Sequence, residues 1–337
     1  MIRRPPESQA AAREAFERLC KADERSDADV LVYADWLTEQ GSSWGEFISA
    51  SRRGDERRAR QLLSADRAQW LGRIAPFLTA HPLEFVGGLP YLAQVVAQPL
   101  DALLENARAT EWLLFRELEV RTGATVELLP LLLSPALRRL RGVHGLSVGL
   151  LEALTAAGGL KKLRALGCTG HVREGDYAPL PFPLELLTHF EQLDSFTHEG
   201  TRLHATDLER LIDLETPRLQ RLTLRVHPDE TLAWDALADA PHVVPDLTIA
   251  SAVWQKEKNL RVRLWGAPRF ERIELFLGAK FERALPLQLE LLRRLRLKDR
   301  EVTVVPARAL SADERTMITD HLAPRAKRLA FTETLAP

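Results

Sequence analysis

An apolar-x-x-Leu spacing, or a close variant of it, recurs along the chain from residue 115 onward and constrains the fold more than any other feature. It reads FREL at 115–118, LRRL at 137–140, LKKL at 160–163, FEQL at 190–193, LQRL at 219–222, VPDL at 244–247, FERI at 270–273, LRRL at 292–295 and AKRL at 326–329. Between these anchors lie amphipathic or leucine-rich runs: Thr125–Leu133, Val148–Ala157, Thr206–Leu214, Thr231–Ala240 and Ser311–Leu322. The last opens with Ser311 and Glu314, the spacing of a capping box. Each strand-plus-helix unit would leave an apolar edge bare, so only stacking can give it a core.

A strand followed by a helix, repeated roughly every 20–29 residues, is the leucine-rich-repeat pattern LxxLxLxxN/CxL. Its sixth position points inward and reads Val120, Gly142, Ala165, Ser195, Leu224, Ile249, Leu275 and Leu297, all small or apolar. Its ninth position reads Gly123, Gly145, Cys168, His198, His227 and Ala252, so only Cys168 matches the usual residue. The expected fold is α/β: an irregular leucine-rich-repeat-like solenoid, with a parallel sheet and helices on the convex side.

The N-terminal part has a different period. Ala12, Phe16 and Leu19 sit at helical spacing, and so do Val30, Tyr33 and Leu37, after which Gly41 supplies the residue type that ends a helix most easily. Ser42 and Ser43 offer N-cap oxygens to a helix carrying Trp44, Phe47 and Ile48. A charged helix is expected from Asp55 to about Leu78. The domain reading is therefore a helical cap over 1–84 and a repeat solenoid over 85–337. The aromatic knot of residues 30–48 is read as the core of that cap, with Trp44 and Phe47 touching the first repeat.

Leu31-Val32-Tyr33-Ala34-Asp35-Trp36-Leu37, Glu39, Gly41 and Gly45-Glu46-Phe47-Ile48 resemble the repeat-companion domain, a bacterial module of myxobacteria and planctomycetes. Tyr33, Asp35, Trp36, Gly41, Trp44, Glu46 and Phe47 are the motif positions singled out here. Val30 stands where that family often has Arg, and Ser42-Ser43-Trp44 where it often has Asp-Pro-Arg. The resemblance implies a small helical domain placed before leucine-rich or similar repeats, and it implies no reaction.

Composition narrows the function classes. With 46 Lys+Arg against 47 Asp+Glu, the formal charge is -1, so no whole-chain attraction to nucleic acid or membrane is expected. Cys20 and Cys168 are too few for a disulfide framework, and no apolar stretch reaches membrane-spanning length. The expectation is a cytoplasmic protein. Phosphate-loop, dinucleotide, serine-hydrolase and zinc-protease motifs do not occur. Cys168, His198 and His227 share a repeat column, but no carboxylate or orienting group joins them, so neither a metal site nor a Cys–His nucleophile is expected. His171, Glu174 and Asp176 read as part of an exposed insertion. The chain is expected to be no enzyme and to need no cofactor.

The strand surface carries the functional expectation. Positions three and five are taken to face outward and hold nine basic residues, Arg139, Arg141, Lys162, Arg164 and Arg221 among them, against five acidic ones, including Glu117 and Glu119. Position seven adds Val143, Leu166, Phe196 and Arg225. An apolar strip bordered by Arg and Lys has the anatomy of a protein-binding face. The expected function is a scaffold or adaptor that binds another protein with an acidic surface. The alternative is nucleic-acid binding through the Arg/Lys blocks.

Overall fold

The computed structural model describes residues 6–21, 24–96, 98–120, 126–169, 183–199, 219–226, 246–251, 260–265, 271–278, 297 and 300–332. The chain divides into two compact units, Met1–Gly145 with Ala153–Leu160, and Leu146–Glu152 with Lys161–Pro337. Both are mixed α/β with mostly parallel strand pairing.

The first unit opens with four helices, α1 (Pro6–Lys21), α2 (Asp27–Glu39), α3 (Ser43–Arg52) and α4 (Glu56–Leu71). The Ser42 hydroxyl accepts from Trp44 N and caps α3, while the Asp55 carboxylate accepts from Arg58 N and caps α4. Helix α4 is shorter than the expected run to Leu78. It stops at Gly72, whose φ of +52° lies outside the α-helical region and ends the α-helix. A 3-10 turn, Gly72–Phe77, then leads into β1 (Leu78–Val86).

Strand β1 turns back at Gly87-Gly88 into β2 (Leu89–Val95), and the two pair antiparallel. Strand β2 pairs parallel with β3 (Glu117–Val120), and β3 with β4 (Gly142–Ser147). Parallel neighbours need long crossovers. Here these hold α5 (Leu100–Glu105), α6 (Leu129–Leu132) and short 3-10 turns, among them Thr110–Leu114 and Pro135–Leu137. Helix α7 (Val148–Ala156) follows β4 in sequence.

In the second unit β5 (Ala165–Thr169), β6 (Ser195–Glu199), β7 (Arg221–Val226) and β8 (Asp246–Ser251) pair in parallel and in sequence order. Strand β9 (Leu260–Trp265) breaks the pattern by running antiparallel to both β8 and β10 (Arg272–Leu277). Parallel pairing resumes from β10 to β11 (Glu301–Pro306) and β12 (Arg328–Phe331). Helix α8 (Ala312–Leu322) joins the last two and carries the expected capping box between Ser311 and Glu314. The described strands form no closed barrel. The amphipathic runs at 206–214 and 231–240 lie outside the described residues, as does the anchor at 292–295.

The inward side of each unit is apolar. Leu118 and Val143 are opposite one another in the first unit, and Leu166, Phe196 and Leu222 share a row in the second; all are buried. Each such side chain contributes roughly 1.5–3 kcal/mol when withdrawn from water.

This register corrects the expected alignment. The fourth residue of FREL, Leu118, stands opposite the seventh of LRRL, Val143. Likewise the seventh residue of FEQL, Phe196, stands opposite the fourth of LQRL, Leu222. Residues 138–141 belong to a turn, and the strand begins only at Gly142. Alternation between faces starts where the strand starts, so counting by twos from Leu140 assigned the wrong faces.

Candidate partner-binding face

Val143, Leu166 and Phe196 are fully buried, so the expected exposed apolar strip does not exist. They are the core side of their strands. Arg139 and Lys162 are exposed, but both lie in the turns that precede a strand. Arg141 and Arg164 stand one residue before β4 and β5, the first half-buried and the second exposed. Arg221 lies on β7 itself and is exposed. Arg225 lies on β7 opposite Glu199, with its side chain outside the described residues.

The residues that do face outward in the first unit are more acidic than basic. The Glu117 carboxylate accepts from the Tyr91 hydroxyl at 2.8 Å, and His144 Nε2 lies 3.2 Å from its other oxygen. Gln94 Nε2 donates to the Glu119 carboxylate at 2.8 Å. The bridge therefore runs across three adjacent strands, β2, β3 and β4. The His144 bond, followed by that from Tyr91, holds the Glu117 carboxyl below its ordinary range against the opposing effect of burial. Burial, with the Glu117 carboxylate beside it, pushes the Tyr91 hydroxyl up to about 12. Glu117 and Glu119 are positions three and five of the first anchor, FREL.

In the second unit the outward charges compensate each other. Arg263 grips Asp246 with two bonds of 2.9 and 2.7 Å, Arg221 approaches the same carboxylate at 3.6 Å, and Glu274 lies 4.0 Å from Arg263. Register places Glu301 between Arg272 and Arg328. Opposite charges on neighbouring strands stabilise the ladder, and they dilute the positive field that a basic block would project. A second outward row, Thr197, Thr223 and Thr248, is short-chained and uncharged.

The Cys/His column is also corrected by register. Cys168 stands opposite His198, but His198 stands opposite Leu224, so a leucine fills the third place of the row; His227 lies outside the described residues. Cys168 and His198 are both buried. Burial alone pushes the Cys168 thiol far up and the His198 imidazole down to about 4. A thiolate–imidazolium pair is thus the form this interior disfavours most. Among the described residues no group of three or more His, Cys, Asp or Glu is arranged to hold a metal ion. His171, Glu174 and Asp176 lie outside the described residues.

The aromatic motif is built as a core. Tyr33, Trp44 and Phe47 are buried, and Trp36 is half-buried with its ring stacked on Tyr33 at 5.9 Å. Trp44 stacks on Trp70 at 6.2 Å, and Phe47 meets Phe85 of β1 edge-on at 5.3 Å. Glu46 holds α3 to α4 by accepting twice from Arg58, at 2.8 and 2.9 Å. Asp35 is exposed and fixes no helix contact among the described residues. Two arginines tie the helices to the strands. Arg25 donates to the carbonyls of Pro90 and Leu114, and the buried Arg116 donates to Leu19 O at 2.7 Å. Sequence reading missed both, because a buried arginine that serves backbone carbonyls has no local spacing signature.

No protein-family model matches the chain, and no curated protein or solved structure matches it either. None of the described helices is long and apolar enough to cross a membrane.

Proposed function

We propose that this chain is a non-enzymatic interaction protein of the cytoplasm, a repeat-companion-type helical cap in front of an irregular leucine-rich-repeat-like solenoid. Its exposed strand side would dock another protein. The observation that supports this most is the ladder of Ser195, Arg221 and Asp246 beside that of Thr197, Thr223 and Thr248. Consecutive parallel strands set polar side chains in rows on a backbone held by buried leucines. Such rows give a rigid surface on which a partner immobilises little chain. Because Leu166 and Phe196 are interior, the docking surface of the second unit would be polar, and Lys162, Arg164 and Arg221 would act as its rim contacts. Buried free Cys20 and Cys168 agree with a reducing compartment.

Affinity purification from the native host, with the full chain and with a Lys162→Glu, Arg164→Glu, Arg221→Glu variant, tests this reading. A co-purifying protein retained by the wild type and lost from the folded variant is expected. Identical retention by both would remove these residues from the binding surface. Random oligonucleotides in a filter-binding salt series test the nucleic-acid alternative. Affinity that falls steeply with salt would replace the protein-docking reading.

A further inference from the structure

We draw no further inference here: the strongest candidate, the guanidinium cluster of Arg25, Arg116 and Arg141 at the strand-entry edge of the first unit, directs donors of Arg25 and Arg116 to the backbone carbonyls of Leu19, Pro90 and Leu114, which makes it a clamp of the fold and no receptor for an anion.

Discussion

The indole Nε1 of Trp44 donates to the carbonyl oxygen of Gly88 at 3.0 Å, and both atoms are buried. This bond joins α3 to the turn between β1 and β2, next to the edge-on contact of Phe47 with Phe85. Gly88 is there for a related reason: with φ at +82°, a Cβ on it would run into the backbone of Ile48. The helical segment thus closes on the hairpin through a hydrogen bond and an aromatic contact in one small area.

Trp44→Phe keeps most of the ring and removes the N–H, leaving a buried carbonyl without its partner. Equilibrium urea unfolding should show a loss of about 1–3 kcal/mol. A loss no larger than that of an exposed control such as Leu31→Ala would mean that the bond does not matter.

The two motif glycines should respond differently to alanine. Gly41, at φ +76°, has open space around a new Cβ, so Gly41→Ala should cost about 1 kcal/mol through backbone strain alone. At Gly45 a Cβ would overlap Ala34 O and Thr38 of the facing helix α2. Gly45→Ala must push α2 and α3 apart and should cost about 3 kcal/mol. Thermal unfolding of the two variants side by side checks the order; a reversed order would refute the packing account.

Glu117→Gln should weaken the Tyr91–Glu117–His144 bridge. The folded carboxyl lies below its ordinary value of 4.5, so its contribution is present above that value and is lost as pH falls through the lower folded one. The variant should be less stable than the wild type at pH 7, by about 1–2 kcal/mol, and the two should converge at strongly acid pH. Urea midpoints at pH 7 and pH 3 read this directly. A constant gap at both pH values would count against the bridge.

His198 gives a second acid-sensitive window. Burial lowers its folded value to about 4 from 6.5, so the unfolded chain takes up the proton first as pH falls. The neutral imidazole's share of stability is complete above about pH 6.5 and is lost on the way down to about pH 4, on the order of 3 kcal/mol. Replacing His198 with Leu should flatten the pH dependence of unfolding over that interval. An unchanged slope would place the responsible group elsewhere.

Local chemistry was legible where local rules act alone. The stop at Gly41, the Ser42 cap, the Ser311–Glu314 box and the aromatic core around Trp44 all follow from spacing of a few residues. Gly72, like Gly41, has a positive φ, but Leu62, Leu63, Trp70 and Ile74 share one side of a helical pattern that runs straight through it. The alternation Leu260-Arg-Val-Arg-Leu-Trp265 likewise announces β9, but it lies between two anchors and runs antiparallel to both neighbours, outside the parallel repeat. The candidate surface was less legible. Whether Val143 or Gly142 faces the interior depends on which residue begins the strand, and a slip of one exchanges every face.

From its amino acids alone, this chain determined that helices come first, that apolar residues recur at strand-and-crossover intervals, and that no motif for phosphate, dinucleotide or zinc chemistry is written into it. Only the tertiary structure decided which strand residues meet water, that His198 stands opposite Leu224, and that Arg116 reaches back to Leu19. Spacing along a chain sets local conformation, because neighbouring residues share a few dihedral angles. Register between strands is set by hydrogen bonds and buried area between segments far apart in order, and no short window of sequence contains both partners.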